Sequence, residues 1–308
     1  MPVNVTNIIA GPALVKFDGA TFYSKGDIKL TAEHETFDIE VDRFRKVDER
    51  AKNEMLKISF TPAGEWESLA VLFPYAGTLL GSTITEDPNL PLEIHTFAGK
   101  KLTFHNAAVT KMPNIKGSAI ETLLGEVEFE AFLKNNTAWS AANSRFTIAD
   151  AALVDATFDP AAILTQAYTV GWGAVSPWDA MSTKKGVDID FNLALEPIET
   201  DADGIVSRRL SGLEVSVKAQ PMGISEADML NKLLFQGAGA VRGRSLSGDD
   251  LNVSATGVYI RVYGAALKGG PQSFSSKEDR IGELEWLATR TFAAGVPNPL
   301  FFVGTAAP

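Results

Sequence analysis

Cysteine is absent from the 308 residues, which excludes disulfides, thiolate nucleophiles and cysteine metal sites. No apolar run approaches the roughly 18 residues of a membrane-crossing helix, so no such helix is expected. Histidine is scarce: only His34, His95 and His105 occur, with no HExxH or other compact ligand spacing, so they read as surface or packing residues. The chain has no GxSxG nucleophile elbow and no glycine-rich loop ending in Gly-Lys-Ser/Thr. Gly237-Ala238-Gly239-Ala240 follows a predicted helix, not a first strand, so it is no dinucleotide fingerprint. Positive charge is in deficit, with 28 Lys and Arg against 38 Asp and Glu and a net charge of -10. That sign repels phosphate backbones and argues against a nucleic-acid clamp. The start, Met1-Pro2-Val3-Asn4, lacks a basic segment followed by an apolar one, so intracellular synthesis of a soluble product is expected.

What is present is ordinary globular material, 45% apolar and 21% charged, in a length that suggests two domains. The chain also resembles itself, at an offset that drifts between about 157 and 162 residues. Ser24-Lys25-Gly26-Asp27 lies opposite Lys184-Lys185-Gly186-Val187, and Val47-Asp48-Glu49-Arg50 opposite Val206-Ser207-Arg208-Arg209. Residues 56–64 pair with 214–223, placing Pro62 over Pro221 and Gly64 over Gly223. Leu72, Phe73 and Gly77 match Leu234, Phe235 and Gly239; residues 102–109 match 260–267, and 124–129 match 281–286. Six landmarks in one order point to a tandem duplication. Residues 1–150 carry 15 basic and 20 acidic side chains and residues 151–308 carry 13 and 18, so each half nets -5.

Period-two alternation predicts strands over residues 27–33, 37–41, 55–60, 102–109 and 125–132, with 213–218 the counterpart of 55–60. Charged residues on one face imply antiparallel sheets with one wet side. Each repeat also carries one predicted helix, residues 65–73 and 225–235, the second with Ser225 and Asp228 as a capping box. The expected fold is therefore mainly β: two tandem β-sandwich or partial-barrel modules, each with a flanking helix and a long interstrand loop. Boundaries are expected at 1–140 for the first module, 141–159 for a connector and 160–308 for the second module with a C-terminal extension.

The segment 44–53, with Phe44, Arg45, Lys46, Asp48, Glu49, Arg50 and Lys52, reads as a charged link between strands; its counterpart is 201–212. Such a link either engages a partner or is a solvated hairpin tip. Glu126, Glu128 and Glu130 share one strand face, as do Glu283 and Glu285, giving either a solvated sheet face or an acidic strip facing a channel. A glycosidase pair among the many carboxylates has no support in spacing. Trp66 and Trp286 read as core. The apolar tail, residues 293–308, needs a surface to cover it, either its own repeat or a neighbouring subunit.

The pattern Gly11-Pro12-Ala13, Phe17-Asp18-Gly19-Ala20-Thr21-Phe22, residues 35–41, Val47-Asp48-Glu49-Arg50 and residues 56–66 resembles the major tail tube proteins of long-tailed bacteriophages with non-contractile tails. The resemblance covers about residues 11–135 directly and the second half through the repeat. It implies a β-sandwich module with a helix and a long loop, six modules per ring, inner sheets joined into a continuous barrel, and rings stacked into a tube. With two modules per chain it implies homotrimeric rings of pseudo-sixfold symmetry. The 44–53 loop would then touch the next ring, and the strands within 27–33 and 37–41 become candidates for the lumen. The implied role is structural and needs no catalytic residue or cofactor. The virion tube would enclose a tape measure protein during assembly and meet tail terminator and distal tail or baseplate proteins at its ends. It would then conduct double-stranded DNA without gripping it, and nothing would insert into a membrane. Two other readings remain at this stage: another self-assembling virion component, such as a baseplate or capsid-decorating protein, and a carbohydrate-binding or hydrolytic two-domain protein.

Overall fold

The computed structural model describes residues 13–64, 66–84, 90–118, 122–133, 143–151, 167–174, 176–200, 203–222, 224, 248–269, 282–290, 292–293, 296–297 and 299–308. The protein is mainly β, with several antiparallel sheets and, among the described residues, one short helix. The first half supplies β1 (Ala13–Phe17), β2 (Ala20–Ser24), β3 (Lys29–Val41), β4 (Arg45–Phe60), β5 (Pro62–Ala63) and α1 (Trp66–Leu69). It continues with β6 (Leu92–Thr96), β7 (Lys100–Phe104), β8 (Ala107–Lys111), β9 (Ile115–Gly117), β10 (Thr122–Leu124), β11 (Val127–Ala131) and β12 (Phe146–Asp150). The second half supplies β13 (Thr169–Trp172), β14 (Met181–Thr200), β15 (Gly204–Met222), β16 (Leu251–Ala255), β17 (Val258–Val262), β18 (Ala266–Gly269), β19 (Leu284–Leu287), β20 (Phe292–Ala293), β21 (Val296–Pro297) and β22 (Phe301–Gly304).

The strand order is the same in both halves. In the first, one sheet runs β3-β4-β11-β8 and a second contains β12-β7-β6-β1; in the second, β14-β15-β19-β18 joins β13-β16-β17-β22. Even the registers correspond. Leu30, Ile58, Phe129 and Val109 lie in one cross-strand row, and Ile189, Val217, Trp286 and Leu267 form the matching row. In the other sheet the row Val15, Ile94, Leu102, Ile148 has its counterpart in Val170, Val253, Ile260, Val303. Backbone turns repeat as well: Gly26 and Gly186, Arg45 and Gly204, Gly99 and Gly257, and Asn106 and Gly264 all have positive φ. The left-handed region is sterically costly for a side chain, so four shared occurrences at the sequence-matched places mark one backbone plan used twice.

The halves share one main core, with a smaller cluster of Ala108, Phe132 and Ile205 beside it. Phe60 stacks on Phe129, which Phe17 meets edge-on, while Trp172 packs against Trp178 and Trp286. At the seam, Phe73 of the first half touches Phe191 and Phe301 of the second, with ring centroids 5.0 and 6.5 Å away. The tail resolves its alternatives within the chain: β22 pairs with β17 and buries Phe301. It also binds the first half, because the Trp66 indole donates to the Gly304 carbonyl at 2.8 Å and the Leu300 amide to Ala76. Both Trp66 and Trp286 are core residues, as expected.

Several local expectations change. Residues 27–33 and 37–41 are one continuous strand, β3. Residues 102–109 are two strands in different sheets, separated by a turn at His105 and Asn106; the positive φ of Asn106 redirects the chain between layers. The first helix is short, Trp66–Leu69 followed by a 3-10 turn at Ala70–Leu72, because Pro74 forbids continuation. The predicted helix at 225–235 lies outside the described residues, as do Gly11, Pro12, Trp139 and most of the expected connector. Within that connector β12 is described, and it pairs with β7 as part of the first half's sheet.

Candidate assembly surface

The 44–53 segment is not a loop. A three-residue turn joins β3 to β4, and residues 45–53 belong to the 16-residue β4, so the charges sit on the outer part of a long hairpin arm. Both faces of that arm are exposed: β3 has no buried residue, and the first eight of β4 are exposed. Phe37, Val41, Phe44 and Val47 are all at least 47% exposed, with Phe44 at the turn reaching 68%. β3 also ends its sheet, leaving one side of a 13-residue strand without a strand partner among the described residues. Long exposed edges invite pairing with another chain, and an arm cannot shelter its apolar groups alone.

Charge pairing keeps the arm together. Lys46 bridges Asp38 at 2.7 Å and Glu49 at 2.8 Å, Thr36 donates to Glu49 at 2.6 Å, and Arg50 binds Asp48 at 3.0 Å. The hydrogen bond to Asp38, then that to Glu49, raises the Lys46 ammonium above its ordinary value. Lys46 lowers the Glu49 carboxyl, and Arg50 lowers that of Asp48. Lys52, with Arg45 and Phe44, completes the outer surface. In this setting the pairs fix geometry and contribute little energy, since water screens them.

The second arm, β14–β15, is the same element in another setting, because it lies on the first half. The Gly81 amide donates to the Leu210 carbonyl at 2.7 Å, Leu210 to Ser82 at 2.9 Å, and Ile84 to Arg208 at 3.0 Å. The outer side of β14 is joined at Val187–Ile189 by β9 from the first half. Ile205 is buried against Ala108 and Phe132. Arg208 reaches Glu130 at 2.5 Å and Met55 at 3.5 Å.

That contact corrects the acidic strip. Glu130 is 1% exposed and paired with Arg208, so it lies on neither a solvent face nor a channel wall. Residues 129–133 are buried without alternation, which is the pattern of a strand covered on both faces. The other four acids are outside the core and mostly neutralised. Glu126 accepts from Ser59 at 2.9 Å and meets Lys111 at 3.4 Å; the Ser59 bond holds its carboxyl below the ordinary value despite partial burial. Glu128 is bonded by Thr110, Glu285 pairs with Lys268 at 3.4 Å, and Glu283 is exposed.

The Arg208–Glu130 pair and the 81–84 segment had no signal in pairwise spacing. The continuous burial-type run Ala131-Phe132-Leu133 was the available hint that something covers this face. A cleft lined by Ala32, His34, Glu54, Met55, Leu56 and residues 144–146 lies beside the first arm. In it His34 and Glu54 are 3.9 Å apart and exposed, and the Ser144 hydroxyl donates to the Phe146 carbonyl at 2.9 Å. No cluster of His, Asp and Glu among the described residues could hold a metal ion. No helix among the described residues is long and apolar enough to cross a membrane. The chain matches no protein-family model and no curated protein.

Proposed function

We propose that this chain is a structural virion protein that polymerises into the tail tube of a long-tailed phage, as stacked rings of three chains with pseudo-sixfold symmetry. The observation that carries the reading is the repeated strand plan, in which the same four-strand runs occur in both halves with matching register. A chain built as two pseudo-equivalent modules supplies a ring with an even number of modules. Closed rotation limits lateral growth, while stacking extends the axis. Each module consists of the paired sheets and a long arm, with α1 beside the sheets of the first. Joining sheet edges between modules satisfies backbone groups that would otherwise pair without control.

The chemistry is mechanical and requires neither turnover nor a cofactor. A net charge of -10 suits a wall that double-stranded DNA passes without being held. The same bore holds a tape measure protein during assembly, and terminator and distal tail proteins cap the ends. Electron microscopy of the purified protein in negative stain tests the reading. Rings with threefold symmetry, or tubes with a continuous bore, are expected. Monomers at every concentration and salt, with no incorporation into virions, would overturn it.

A further inference from the structure

We propose that the free arm β3–β4 of one copy docks on the second half of another copy, repeating between chains the contact that β14–β15 makes within the chain. This deepens the ring reading and rests on it for closure, while the contact itself is argued from the two arms. Position by position the arms differ in cover more than in build. Val206 is 9% exposed, and its sequence counterpart Val47 is 49% exposed. Leu210 is fully buried where Ala51 is exposed, and Ile205 is buried where Lys46 is exposed. The first half covers β15 of the second arm. Among the described residues nothing covers the equivalent part of β4, and the surface assigned to it is that of a second copy.

The repeat also locates the contact. The second arm turns at Gly204, where an added Cβ would lie 2.4 Å from the Asn53 side-chain oxygen and 3.0 Å from the Lys52 carbonyl. Gly204 corresponds to Arg45, and Asn53 to Gly212, at one offset of 159 residues. The turn of the free arm therefore belongs at Gly212 of the neighbouring copy. Unlike Asn53, which is 2% exposed beneath the second arm, Gly212 is only partly buried and lies beside exposed Ser211, with Ala194 opposite it. These small residues leave a shallow notch for the apolar turn. The ion pair is not repeated, since Glu49 stands at the position of Arg208 and Leu287 at that of Glu130. The contact between copies thus relies on the outer part of β4, with Val47 at the place of buried Val206 and Phe44 at the turn, and is weaker than the contact within the chain. A head-to-tail contact of this kind is heterologous, closing into a ring or running on as a filament according to its rotation.

The absence of cysteine makes cross-linking a clean test. Equimolar Arg45→Cys and Gly212→Cys chains are mixed and oxidised, with the Thr83→Cys, Arg209→Cys double variant as the intrachain control, since those residues pair across an isolated bridge. A disulfide between the two different chains is expected, and a multi-chain ladder from the Arg45→Cys, Gly212→Cys double variant. Closure of the control without any cross-link between chains would overturn the proposal, as would a 45–212 disulfide formed within one chain. Independently, Phe44→Ser, Val47→Ser should weaken self-association roughly ten-fold or more in sedimentation, with the thermal unfolding midpoint unchanged. Undiminished association would also overturn it. Rings that form without the 45–212 cross-link would sink this contact and leave the tube; the cross-link without rings or tubes would keep the contact and sink the tube.

Discussion

The two arms share a place in the strand order and a positive φ where the return strand begins, at Arg45 and Gly204, yet β15 is packed against the first half and β3–β4 stands free. Their contrast separates what a hairpin's own sequence supplies from what its neighbour supplies. Charged side chains on the free arm find partners within the arm, Lys46 with Asp38 and Glu49. On the docked arm Arg208 finds its partner 78 residues away in sequence, in the other half. The first arrangement holds a shape, whereas the second ties two repeats together.

The largest difference is expected at that tie. Arg208→Ala leaves the Glu130 carboxylate buried and unpaired, and breaking such a pair costs about 3–5 kcal/mol. Glu49→Ala, at the equivalent position of the free arm, should leave stability close to that of the parent. Urea unfolding of the two variants measures both, and equal effects would end the claim that only one arm is docked. A double Arg208→Met, Glu130→Leu variant should recover most of the loss, because matched apolar residues remove the stranded charge.

A gentler comparison uses the same side chain twice. Val206→Ala removes two buried carbon groups, worth about 1.6 kcal/mol at ~0.8 each. Val47→Ala in the monomer should cost less than about 0.5 kcal/mol. If copies associate through the first arm, the Val47→Ala effect grows with protein concentration and approaches that of Val206→Ala. A concentration-independent difference would argue that the free arm stays free.

Much of this was legible in the sequence, and its limits follow from the same two arms. Residues 55–60 and 213–218 alternate because each has one face on the core, so both strands and their equivalence could be read. The strands run on through residues 45–54 and 204–212, but an arm wetted on both sides has no reason to alternate, and one covered over part of its length, as at Ile205–Ser207 and Leu210, buries residues irregularly. The charged outer part of β4 therefore resembled a loop. The break in 102–109 was hidden because a turn at Asn106 needs only one residue with positive φ, and both flanking stretches are strands. Glu130 was assigned to an open face because alternation gives direction and not depth. Its partner arrives from the other repeat, a contact that spacing along the chain cannot encode.

Amide hydrogen exchange should separate the arms without any substitution. The amides of Gly81, Ile84 and Leu210 are bonded across the seam between repeats, and their exchange should require the halves to part. Amides near the turn of the first arm should exchange orders of magnitude faster in the monomer, as expected for hairpin ends with little buried surface. Comparable protection in both arms at low concentration would refute the difference.

The smallest effect is electrostatic and confined to the first arm. Arg50 lowers the Asp48 carboxyl from its ordinary 3.8, and Lys46 lowers that of Glu49 from 4.5. A depressed folded value means stabilisation that is present above the unfolded value and is lost as pH falls through the folded one. Lys46 is raised above 10.5, chiefly by its hydrogen bond to Asp38. Its contribution is therefore complete below that value and is lost as pH rises through the higher folded one. The free arm should thus be most ordered between about pH 5 and 10 and loosen at both extremes. Salt should loosen it too, since these pairs are exposed and a Debye length near 3 Å at about 1 M screens them. Exchange protection across residues 36–51, corrected for the intrinsic rate, should fall on acidification, while that of 205–210 holds. A parallel fall in both arms would show that the seam, and not the first arm's own charges, governs the acid response.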